Sequence, residues 1–108
     1  MKTGIELIAE ERQRQIEVEG YSEEHDSQHK VSEFISAAGS YADSAGMYAL
    51  RNEGAINDAL TNGLPYLKKS FVWGYDAFKP TGCLKDLIKA GALIAAAIDR
   101  LQKDKVQQ

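Results

Sequence analysis

Both histidines of the chain, His25 and His29, fall in one polar stretch, Glu-Gly-Tyr-Ser-Glu-Glu-His-Asp-Ser-Gln-His over residues 19–29, with Asp26 between them. Imidazole and carboxylate groups at this spacing suit three kinds of work. They can ligate a metal, because two histidines one helical turn apart can share a zinc ion; here no third strong ligand follows, and Glu23 and Glu24 fit solvent better. They can fix a turn through side-chain-to-backbone bonds. They can also meet an anionic ligand directly. A Mg²⁺ site needs several carboxylates aimed at one point. The chain offers Glu33 and Asp86 for it, but one turn on from each stands an alanine, Ala37 and Ala90, so the carboxylate ladder is missing. Cys83, at the start of a predicted helix, is either a thiol activated by the helix dipole or a small apolar residue. There is no glycine-rich phosphate loop. The best convergence is cationic and aromatic. Arg12, His25, His29 and Lys79, with Asp26 beside them, would meet phosphates, while Trp73 or Tyr75 stacks on a planar base.

Helices must position these groups. The spacing predicts a first helix from about Ile5 to Val18, opened by the capping-box pair Thr3 and Glu6. Ile5, Ile8, Ala9 and Ile16 form its apolar stripe, with Arg12 inside the stripe and Gln15 at its border. Gly20 is a candidate C-cap. A second helix is predicted from about Ser32 to Leu50, with Phe34, Ala38, Tyr41, Ala45 and Tyr48 on its buried face. Gly39 and Gly46 within it suggest a neighbouring backbone close by, or a kink after Gly46. Residues 52–82 read as the irregular part. Ala55 to Leu60 suits a short helix, while Asn62-Gly63 and Leu64-Pro65 are turn signals. The aromatic run from Phe71 to Pro80 should fold back, either capping the core or forming a lid. The last helix is predicted from about Cys83 to Lys103. Its expected buried face is Leu84, Leu87, Ile88, Gly91, Ile94, Ala95, Ile98 and Leu101, and Asp86 is spaced to pair with Lys89. The segment Ala90–Ile98 is apolar all round, which places this helix centrally or in an oligomer interface.

The whole chain sets limits on partners. At 108 residues it is a single domain with a modest core, which oligomerisation would enlarge. A net charge of −3, with Lys68-Lys69 as the lone adjacent basic pair, argues against duplex nucleic acid as the partner. The one cysteine fits a reducing compartment. The first residues lack the apolar core of a signal peptide, and no apolar run is long enough to span a bilayer. The expectation is a cytoplasmic protein with no membrane partner.

Several strings carry a resemblance. Glu11-Arg12-Gln13-Arg14-Gln15, Glu19-Gly20-Tyr21, His25-Asp26, His29, Tyr41-Ala42, Phe78-Lys79-Pro80 and Asp86 to Ile94 with Asp99-Arg100-Leu101 together resemble a family of small phage and prophage proteins. That family usually carries an acid where this chain has Ala97. The layout of an opening helix, a histidine-containing loop and a helix starting near Glu33 is also similar to all-α, MazG-like nucleotide pyrophosphohydrolases. That likeness implies a dimerising helical bundle and, with Glu33 and Asp86 as counterparts of its acids, Mg²⁺ as cofactor; the paired-Glu motif itself is absent. The combined expectation is an all-α protein, a small bundle of three main helices with a long aromatic-rich loop between the second and third. It would form a homo-oligomer and bind a nucleotide-like molecule without hydrolysing it, needing no cofactor. The rivals are a Mg²⁺-dependent pyrophosphohydrolase and a module that binds a host protein.

Overall fold

The structure, a computed structural model, describes residues 1–18, 29–50 and 52–106, with side chains as far as Lys103. Thr3 and Glu6 open the first helix, α1 (Gly4–Glu17), with the expected reciprocal cap: the Glu6 amide donates to Thr3 Oγ1 at 3.2 Å and the Thr3 amide donates to Glu6 Oε1 at 3.1 Å. Glu33 opens α2 (Val31–Tyr48) by accepting the Lys30 amide at 2.8 Å. α3 (Glu53–Asp58) is capped by Asn52, whose Oδ1 accepts the Ala55 amide. The chain then passes through one π-helical turn (Ala59–Gly63) into α4 (Leu64–Ser70). A 3₁₀ turn (Tyr75–Ala77) precedes the longest helix, α5 (Cys83–Val106). The described residues are thus all-α, with no strand among them.

The short helix expected at Ala55–Leu60 is present as α3, and the chain stays helical through residues 59–70, where Asn62-Gly63 and Leu64-Pro65 had predicted turns. Pro65 lies in the first turn of α4, where its missing N–H costs little. The preceding π turn absorbs the mismatch, with the Leu64 amide donating to the Ala59 carbonyl five residues back. Gly63 serves contact rather than chain reversal: a Cβ there would lie 2.5 Å from Met47 Cε. The irregular connection is therefore short, and its aromatic part caps the core. Phe71 and Phe78 are buried together with Tyr41, and their ring centroids lie 4.9–5.8 Å apart.

α5 is central, with α1 and α2 packed on it and scarcely touching each other. The hydrogen bonds from Ser44 to Asp86 and from Arg100 to the His29 carbonyl show that α2 and α5 run antiparallel. The α2–α5 seam is built from Phe34, Ala37, Ala38, Tyr41 and Ala45 against Ala90, Leu93, Ala96 and Ala97. This corrects the expected face of α5. Its small residues are buried, whereas Leu84, Leu87, Ile94, Ile98 and Leu101 are exposed. Alanines let helix axes approach, so the seam takes them in preference to the larger side chains. On α1 the most buried side chain is Gln15, while Ile5 is exposed. Gly39 and Gly46 of α2 face open space; the glycine in close contact is Gly91 of α5, covered by Ile8.

Candidate functional site

A cleft of about 340 Å³ opens between α1, α5 and the 71–79 segment. That is at the small end of the range for ligand pockets, roughly 300–1,000 Å³. Tyr41, Phe71 and Trp73 supply its aromatic wall, and Glu11, Arg14, Gln15, Lys79 and Lys89 its polar groups. A second, more open cleft adjoins it and shares Glu11, Arg14, Lys79 and Lys89; it adds Lys85 and the aliphatic surface of Leu7 and Ile88. The four shared residues form a charged waist between an aromatic and an aliphatic recess.

Each group at the waist is held from its own element. Arg14 lies one turn beyond Glu11 on α1, and its Nε and Nη2 donate to the two carboxylate oxygens at 2.7 and 2.8 Å. Gln15 Nε2 also donates to Glu11 Oε2, at 3.2 Å. Burial pushes the Glu11 carboxyl up, but the Arg14 guanidinium, with help from Gln15 and Lys89, outweighs it, and the pKa settles below the ordinary value. Lys89 comes from α5. Its ammonium donates to the Lys79 carbonyl at 2.7 Å and sits 5.3 Å from the Tyr41 ring centroid. Burial pushes its pKa down, opposed by the charges of Asp86 and Glu11. The Lys79 backbone is pinned in turn, since its amide donates to Tyr41 Oη at 3.1 Å.

Trp73 is oriented from behind. Its Nε1 donates to Glu33 Oε1 at 3.2 Å, and its ring packs against His29 and Phe34 at centroid distances of 5.4 and 5.2 Å. Gly74, at φ 100°, turns the chain away immediately after it. His29 Nδ1 lies 3.1 Å from Glu33 Oε1. Glu33 thus takes the Lys30 amide, His29 and Trp73, and those hydrogen bonds, led by the Lys30 amide, hold its pKa below the usual carboxylate value.

Of the residues singled out by sequence, Trp73 and Lys79 meet in the cleft. His29 and Glu33 support Trp73 and do not line it. Arg12 is half-buried on α1 outside the lining, and Tyr75 is exposed under the Lys68 ammonium. His25 and Asp26 lie outside the described residues. Asp86 is buried in the α2–α5 seam. It accepts from Ser44 Oγ at 2.8 Å and the Thr81 amide at 2.9 Å, with no ion pair to Lys89 among the described residues. Ser44 and Glu33 are eleven residues apart on α2, which is about 16 Å along a helix. Glu33 and Asp86 therefore do not converge on one metal ion, and the reading that pairs them is corrected. Among the described residues no cluster of three or more His, Cys, Asp or Glu could hold a metal. Arg14, Gln15, Tyr41 and Lys89 are the site residues that sequence reasoning missed. The Glu11–Arg14 spacing was one available signal.

The chain matches no protein-family model, no curated protein and no solved structure.

Proposed function

We propose that the protein binds a nucleotide or nucleotide-like signalling molecule in this cleft and does not transform it. The observation that carries the reading is the meeting of Arg14, Lys79 and Lys89 above a wall of Tyr41 and Trp73. Phosphate oxygens would take the ammonium and guanidinium donors at the charged waist, and the base would lie against the aromatic wall. Lys89 suits this role because part of its hydration has already been stripped, so an arriving anion restores what burial removed. The resemblance to phage proteins suggests a setting, in which the protein would keep a host signal out of circulation. Hydrolysis is not part of the proposal, because both candidate acids are engaged in structural hydrogen bonds far from each other.

A thermal-shift series with mono-, di-, tri- and cyclic nucleotides, with and without Mg²⁺, tests this. A ligand at 100 times its Kd adds about 2.7 kcal/mol of stability, and the mixture should return it intact. Lys89→Met and Trp73→Ala should each weaken binding about tenfold or more, a change of about 1.4 kcal/mol. Failure of every nucleotide to shift the transition would overturn the reading. So would Mg²⁺-dependent product, or a shift indifferent to Lys89→Met.

A further inference from the structure

We propose that two copies of the chain pair back to back through the exposed face of α5. Leu84, Leu87, Gly91, Ile94, Ile98 and Leu101 recur at alternating spacings of three and four, the pattern of a helix-pairing seam. The five larger side chains each keep 49–65% of their surface in water, while the alanines on the other side of the helix are buried. No charged residue interrupts the stripe.

The architecture says why the face is bare. α1 and α2 lie on either flank of α5 and scarcely meet, so the main helices make one layer rather than a closed bundle. Domains reach stability as two or more packed layers. The aromatic segment covers this layer on the side of Tyr41 and Leu93. On the stripe side, among the described residues, α1 reaches only Gly91, through Ile8, and leaves the five larger side chains in water. The molecule is accordingly flat, with extents of 49 × 35 × 25 Å and a radius of gyration of 14.7 Å, against about 13 Å for a compact domain of this length.

A second copy is the occupant that fits. The uncharged seam presents the same three-four relief to its own image, as a twofold interface requires. Ile8 sits on Gly91 at the centre of the stripe and fills its one missing side chain. The five exposed residues offer on the order of 450 Å² of apolar surface, more than half of the roughly 800 Å² per partner that a stable dimer buries. Ile5, 83% exposed one turn before Ile8, is placed to extend it. At 100° per residue Lys89 and Leu93 point away from Leu84, Gly91 and Ile98, so pairing leaves the nucleotide cleft open.

Sedimentation equilibrium at tens of micromolar tests the pairing. The wild-type chain should show twice its own mass. The Ile94→Glu/Ile98→Glu variant should show a single chain mass, with dissociation strengthened at least a hundredfold and the far-ultraviolet dichroism unchanged. Should that variant fail to fold, single cysteines at positions 87, 94 and 98 in a Cys83→Ser background decide, at least one of them giving an oxidised dimer. A monomeric wild type, a dimer that survives the double substitution in a folded chain, or a cysteine series without cross-links overturns the inference. Nucleotide binding is read separately and should persist in the monomeric variant.

Discussion

Asp86 shows at the residue scale how a group that could do chemistry is spent on structure. It has no exposed surface, and its oxygens are met by Ser44 and Thr81, so it ties α2 to the start of α5. Ser44→Ala would leave that carboxylate short of a donor and should cost about 1–3 kcal/mol in urea unfolding. Asp86→Ala, which removes the acceptor of the Thr81 amide and leaves the Ser44 hydroxyl only the Tyr41 carbonyl, should cost at least as much. Glu33 makes the complementary case through pH. Its carboxyl pKa is held down, first by the Lys30 amide and then by His29. Between that lowered value and the ordinary 4.5 the unfolded chain binds more protons than the folded one. The stability this group contributes is therefore complete above about 4.5 and disappears as pH falls through the lowered value. Melting temperature should drop on acidification in the wild type, and more shallowly in Glu33→Gln. Equal slopes would remove Glu33 from this account. Lys30 and His29 lie within about a turn of Glu33, and Thr81 is five residues from Asp86, but the sequence could not show the distant donors, Trp73 forty positions on from Glu33 and Ser44 forty-two before Asp86.

Legibility at the element scale depends on whether the deciding interaction is local. The N-cap of α1 and the ends of α2 and α5 follow from neighbours within a turn, and the sequence placed them within about three residues; the expected C-cap of α1, Gly20, lies outside the described residues, and Val18 takes that place. The buried face of α5 was misassigned. In a segment apolar all round, hydropathy favours leucine and isoleucine, whereas close helix packing selects alanine. The helical continuation over residues 59–70 was hidden because Asn62-Gly63 and Leu64-Pro65 carry turn chemistry that a π turn can absorb. Glycines sharpen the contrast. A Cβ at Gly91 would lie 2.5 Å from Ile8 Cδ1, while one at Gly39 meets nothing within 4 Å. Gly39→Ala should therefore stabilise the protein by up to about 1 kcal/mol through helix propensity. Gly91→Ala gains the same propensity but drives into Ile8, and overpacking of about 1–3 kcal/mol should leave it net destabilised. Thermal melts of the two variants should move in opposite directions, and parallel shifts would mean that α1 does not bear on Gly91.

The whole molecule joins these scales, because the layer of helices has two faces and the described residues cover one of them more fully than the other. The covered face became the cleft: the aromatic segment that caps Tyr41 and Phe78 also carries Trp73 and Lys79 to its rim, so the core and the candidate site share one wall. Trp73 and Lys79 were legible as an aromatic and a cation near each other in sequence. Arg14 and Lys89 were not, since only the packing of α1 on α5 brings them there. The shared wall predicts a coupling between site and core. Phe78 is fully buried against Tyr41, whose hydroxyl accepts the Lys79 amide and whose ring faces the Lys89 ammonium. Phe78→Leu should cost stability through lost packing, about 1–3 kcal/mol, and should also weaken nucleotide binding although Phe78 does not line the cleft. Leu64→Ala, at a half-buried residue that packs on the core from α4 and does not line the cleft, should lower stability without that loss of affinity. Calorimetric titration of both variants, well below their melting temperatures, separates the two effects. Equal affinities in the two would show that the Tyr41–Lys79 wall is not what holds the ligand.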